Sequence, residues 1–210
     1  MMNDASAGLD WQGAWQQAWA DLSVPTPDAA LRDTLLQRYA EPQRHYHTQQ
    51  HLAECLSHFA ATRDLAQRPG EVALALWFHD AVYAVRGQDN EQQSADWARA
   101  VVLAAGVDAA AAERIHALIM ATCHRATPQA PDAQLLVDID LAILGADEAR
   151  FAEYEQQIRR EYRWVPGLLY RLKRREVLAS FASRPRIFST DYFFSRLEAT
   201  ARANLQRALA

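Results

Sequence analysis

Apolar residues recur at spacings of three and four along almost the whole chain, which is the period of an amphipathic helix and not the alternation of a strand. Trp11, Trp15, Ala18 and Leu22 share one face of a first helix. Pro25 and Pro27 stop it, and Asp28 caps a second helix that runs to about Tyr39. A third, over 48–65, carries Leu52, Cys55, Leu56 and Phe59 on its apolar side and ends before a turn at Pro69-Gly70. From Val72 to Phe78 the run is almost continuously apolar, which predicts a helix buried on all sides with His79 and Asp80 towards its C-terminal end. Residues 84–89, with Gly87, read as a loop, and a helix starts at Asn90-Glu91 and passes Trp97 to about Leu103. Gly106 breaks it, and Asp108 caps another helix with Ile115, Leu118 and Ile119 inside and His124 at its end. A proline-containing loop over 126–133 precedes 135–145, a short helix by its surroundings, although Leu135-Leu-Val taken alone would suit a strand. Helices over 148–162, 166–181 and 191–209 complete an all-α chain, the last behind Ser189-Thr190. With no internal repeat, the expectation is a single helical domain over 1–210, in which 1–37 forms two leading helices.

Composition narrows the partners. A chain of 210 residues, half of them hydrophobic, can fill one large core. A net charge of -4 gives no overall basic character to neutralise a nucleic-acid backbone, so no nucleic-acid polymer is expected. Two cysteines, Cys55 and Cys123, do not make a disulfide framework, and the polar start MMNDASAGLD lacks a signal-peptide core. A cytoplasmic setting is therefore expected. No run approaches the roughly 18 apolar residues of a membrane span, so no membrane is expected either.

The chemistry lies in three places: His47-Thr-Gln-Gln-His51, Trp77-Phe-His79-Asp80 and Asp138-Ile-Asp140. Imidazoles and carboxylates on three separate helical segments form a mixed nitrogen and oxygen ligand set for a divalent metal inside a helical bundle. His47 precedes His51 by one helical turn and is either a third imidazole ligand or a group behind the ligands or against substrate. His124 either reaches the site or caps carbonyls. His45, His58 and His116 have no candidate ligand beside them. Glu91, eleven positions after Asp80 across a short loop, can return to the metal, or is a first-turn acid favoured by the helix dipole. Arg44, beside His47 and His51, is the best-placed cation for a phosphate. The run Arg171, Lys173, Arg174, Arg175 reads as a solvated helix face, and Tyr154, Tyr162 and Tyr170 as core. P-loop, GxSxG and Cys-His nucleophile signatures are missing from the sequence.

The strings RHYHTQQHL, ALWFHDAVY, NEQQSA, ATCH and DIDLAILG, with the closing REY...Y..R...L..F..R..IF.T pattern, together resemble the HD superfamily of metal-dependent phosphohydrolases. The resemblance runs from about residue 38 to about 205. It implies an HD-type helical bundle in which His51, His79, Asp80 and one aspartate of the 138/140 pair bind a divalent ion. Asp140 is preferred because it leads into a leucine-rich turn ending at Gly145, and Asp138 is the rival. The donor set suits one ion of Mn, Fe, Ni, Co, Zn or Mg. The resemblance further implies hydrolysis of a small phosphorylated substrate, a nucleotide being the natural candidate. Glu91 and Asp80 are the catalytic residues it points to, while Arg44, His47, His124 and Asp138 are substrate or supporting residues. Homo-oligomerisation is open. Two alternatives stand beside this expectation: a metal- or ligand-binding helical protein without turnover, and a different metal-dependent enzyme on the same fold, such as an oxygenase with a diiron cluster.

Overall fold

The structure, a computed structural model, describes residues 8–210. Ten α-helices follow one another along the described residues: α1 (Trp11–Ala20), α2 (Ala29–Arg38), α3 (Gln49–Thr62), α4 (Pro69–Phe78), α5 (Asn90–Ala104), α6 (Ala109–Ala121), α7 (Pro131–Asp140), α8 (Glu148–Glu161), α9 (Gly167–Ala182) and α10 (Asp191–Leu209). Short 3-10 turns occupy Arg63–Leu65 and Leu141–Gly145. There is no strand among the described residues, so the all-helical class expected from the periodicity is the one adopted. None of these helices is long and apolar enough to cross a membrane. The chain divides into two compact units, Met1–Val137 and Asp138–Ala210, with the dividing line inside α7.

In the first unit α4 is the central element. Every residue from Gly70 to Phe78 is buried, and α1, α3, α5 and α6 pack around it. This is why its sequence shows no polar stripe: no side of the helix meets water. The leading helix is fastened to it by tryptophans. Trp15 meets Trp77 edge-on at 5.1 Å, and Trp11 meets the same ring at 5.7 Å, the arrangement that opposes ring faces to ring edges.

Pro69-Gly70 is not the turn that its composition predicts, but the first turn of α4. Proline at the first helical position gives up an N–H that has no helical partner there. A Cβ on Gly70 would stand 2.9 Å from the Asp21 Cβ and 3.0 Å from the Ala18 carbonyl oxygen, so the end of α1 requires glycine. Pro131 likewise opens α7, and Leu135, Leu136 and Val137 are buried in that helix. Asp132 in its first turn accepts from the Gln67 and Arg68 amides at 2.7 and 3.1 Å, which caps the approach to α4.

In the second unit α10 packs on the 3-10 turn at Leu141–Gly145, on which α8 also rests, and on α9. Asn204 donates to the Leu144 and Ala146 carbonyls at 2.8 and 2.9 Å. Glu198 accepts from the Ile187 and Phe188 amides, which fixes the approach to α10. Thr190 caps that helix from its side chain, as its sequence position predicts.

Candidate metal centre

His51 stands in the first turn of α3, behind a Thr48 side chain that accepts from the Gln50 amide. His79 is the residue that closes α4, one position past its last helical residue. Its Nδ1 lies 2.8 Å from the Leu76 carbonyl oxygen. A carbonyl can only accept, so Nδ1 carries a proton, and Nε2 offers a lone pair to a metal whenever the ring is neutral. Nε2 lies 3.0 Å from the His51 Nε2 and 3.1 Å from the Asp80 Oδ2. The third side of the triangle, His51 Nε2 to Asp80 Oδ2, is 3.5 Å.

With both rings neutral, three such atoms around one point can hold a cation between them. Ligands held about 2.0–2.2 Å from a common ion stand about 3.0 Å apart at a right angle and about 3.4 Å apart at the tetrahedral angle. The triangle of 3.0, 3.1 and 3.5 Å fits that requirement. The Nδ1–H of His79 on a backbone carbonyl is the outer contact that orients an imidazole ligand. Burial works against ionising Asp80, yet the positive fields of His79 and His47 and the hydrogen bonds from His51 and His79 overcome it, holding the carboxyl well below its usual range.

The ligand atoms of His51, Cys55 and His79 also all lie within 4.8 Å of one another, a group that could hold a metal ion. Asp140 is the last residue of α7. Cys55 is the member that sequence reasoning assigned only to the core. Its signal was the spacing of four from His51, which puts both on one face of α3. The sulfur is 3.7 Å from both ring nitrogens of His51, so it lies beside the ring and off the axis of the Nε2 lone pair.

Two residues hold the doublet in place. The chain just past α4 leaves backbone carbonyls beside the core, and Arg44 supplies them with donors. Its Nη1 donates to the Asp80 carbonyl at 2.6 Å and to the His47 carbonyl at 3.2 Å, and its Nη2 to the Ala81 carbonyl at 3.0 Å. Its Nε meets Glu41 at 3.2 Å, and the guanidinium lies over the Tyr39 and Tyr83 rings. Arg44, expected against substrate or behind the ligands, is fully buried and donates to the backbone. Tyr39, which the sequence presented only as a helix end, donates its hydroxyl to the Trp77 carbonyl and accepts from the Asp80 amide, both at 3.2 Å. Burial pushes its pKa far up, so it remains a phenol.

The chain after Asp80 is stitched to the start of α5. The Val82 amide donates to the Ser94 hydroxyl at 3.0 Å, and the Asn90 amide group pairs both ways with the backbone of Ala84. Asn90 and Ser94 are four apart and share a helix face, which explains their spacing within NEQQSA.

The remaining sequence candidates fall in several places. The His47 ring stacks on Tyr83 at 4.3 Å and meets the His51 ring edge-on at 6.0 Å, within electrostatic reach of Asp80. Glu91, half-buried in the first turn of α5, acts on Cys123, whose thiol pKa is raised by burial and by this carboxylate. His124 lies three residues past the end of α6 in a left-handed conformation with φ 53°, its amide donating to the Ala121 carbonyl. Asp138 accepts from the Ser189 amide at 2.8 Å and from the Thr190 amide and hydroxyl at 2.7 and 2.6 Å, so both of its oxygens serve the start of α10. Residues two apart on a helix diverge by about 200°. Asp138 and Asp140 therefore point to different sides of α7.

The chain matches no protein-family model, no curated protein and no solved structure.

Proposed function

We propose that the protein is a metal-dependent phosphohydrolase of HD type, acting on a small phosphate ester such as a nucleotide. The observation that carries this reading is the triangle of His51 Nε2, His79 Nε2 and Asp80 Oδ2 with sides of 3.0, 3.1 and 3.5 Å, the His79 ring being oriented by the Leu76 carbonyl. His51, His79, Asp80 and Asp140 are the proposed ligands. A divalent ion held by them supplies a Lewis acid for a phosphate oxygen and a water acidic enough to serve as nucleophile. Arg44 and Tyr39 fix the backbone from which Asp80 projects, so the carboxylate keeps its place when substrate arrives. Glu91 is the proposed group that orients or deprotonates the attacking water. Support for it comes from the Ser94 and Asn90 contacts, which tie the start of α5 to the segment two to four residues past Asp80.

The test joins elemental analysis of protein purified without added metal to phosphate release from nucleoside mono- and triphosphates and an aryl phosphate, with Mn, Co, Ni or Mg supplied in turn. One equivalent of metal and hydrolysis in at least one combination are expected. Glu91→Gln should keep the metal and lose about a hundredfold in turnover. Metal without hydrolysis in any combination would favour the second reading, a metal-binding protein without turnover. One observation supports that reading: the Arg44 guanidinium spends four of its five N–H groups on Glu41 and on the carbonyls of His47, Asp80 and Ala81.

A further inference from the structure

Of the sixteen residues of α9, only Leu178 and Phe181 are buried. The first turns instead present large apolar side chains to water: Leu168 is 65 % exposed, Leu169 48 % and Leu172 54 %, continued one turn upstream by Trp164 at 47 %. Leu168 and Leu172 are four apart and form one stripe, so these side chains make a contiguous apolar surface and not scattered exceptions.

The charge around that stripe is of one sign. Residues 159–175 contain seven Lys and Arg and a single acid, Glu161, a balance of 7 − 1 = +6 in a chain whose total is -4. Two of the cations turn inward: Arg159 donates to the Tyr162 and Val165 carbonyls, and Arg174 pairs with Glu155. Arg160, Arg163, Arg171, Lys173 and Arg175 are exposed. Among the described residues, the exposed acid paired with this group is Glu176, 2.9 Å from Lys173.

We propose that this face of α9 rests on an anionic lipid surface, with Trp164, Leu168 and Leu172 entering the headgroup region and Arg163 and Arg171 pairing with the phosphates beside them. A tryptophan with leucines inside a rim of arginine is the composition that suits the boundary between headgroups and acyl chains. A second copy of the chain does not suit it, because a two-fold contact through this face would set Arg163 and Arg171 against the same cations of the copy. A nucleic-acid backbone would neutralise the arginines but offers nothing apolar for the leucines. The proposal does not depend on the metal centre.

The experiment is co-sedimentation of the full chain with vesicles of phosphatidylcholine alone, or with about one third phosphatidylglycerol, at low salt and at about 0.5 M NaCl. Retention is expected on the anionic vesicles only, reduced about tenfold or more by salt. The same loss is expected in the pair Leu168→Ser with Leu172→Ser, and in the pair Arg163→Glu with Arg171→Glu. All four positions are exposed, so unchanged circular dichroism and Tm accompany the loss. No retention on anionic vesicles, or full retention by the leucine pair, overturns the proposal. A wild-type dimer in light scattering that the leucine pair converts to monomer, with no retention on vesicles, overturns it too and assigns the face to a second copy.

Discussion

Replacing Arg44 with Met separates a positioning role from a substrate-binding one. The substitution keeps an unbranched chain against the Tyr39 and Tyr83 rings but deletes the guanidinium, which donates to the carbonyls of His47, Asp80 and Ala81 and pairs with Glu41. The Asp80 and Ala81 carbonyls lie two and three residues past α4, and leaving them without a donor costs about 1–3 kcal/mol each. Release of a buried charge to solvent in the unfolded chain no longer has to be reversed on folding, which offsets part of that cost. A net loss of about 3 kcal/mol follows, inside the range of about 3–5 kcal/mol for breaking one side of a buried charged contact. With a urea slope of about 2–3 kcal/mol per molar, the midpoint should fall by about 1–1.5 M. Metal affinity should fall as well, because the Asp80 backbone loses its anchor. The assay is urea unfolding followed by circular dichroism, with metal content measured on the same preparation. A variant with an unchanged midpoint and full metal, but a raised KM for a phosphate ester, would refute the positioning argument and return Arg44 to the substrate.

His79→Ala and Asp80→Ala should each lose the bound metal in elemental analysis, since either change opens the triangle of donors. Asp140→Asn should strongly reduce metal content. Asp138→Asn should leave metal nearly intact and instead lower stability by about 1–3 kcal/mol, because it weakens three hydrogen bonds at the start of α10; the reverse ranking in metal content would move the ligand to Asp138. In metal-free protein the Asp80 carboxyl is held below its ordinary value of 3.8, so as pH falls the unfolded chain takes up the proton first. Its ionised form therefore stabilises the fold fully above about pH 3.8, and that contribution is lost as pH falls through the lower folded-state value. The urea midpoints of wild type and Asp80→Asn, followed from about pH 5 to about pH 2.5, should converge, and a constant difference would contradict the assignment.

The sequence by itself determined the helical class, most helix limits and the residues worth testing. Periods of three and four and the caps Asp28, Asp108 and Thr190 act within a turn or two of chain, so they are readable without knowing what packs where. The same locality misread Pro69-Gly70, because the pressure that requires glycine there comes from Asp21 and Ala18, about fifty residues upstream. Only the tertiary structure showed that Asp138 serves the start of α10, since identical side chains two residues apart differ in direction and not in local signal. It also showed Arg44 bonded to backbone carbonyls and brought in Tyr39 and Cys55. Buried backbone carbonyls must find donors wherever the fold supplies them, and a pattern along one chain does not record which distant side chain arrives.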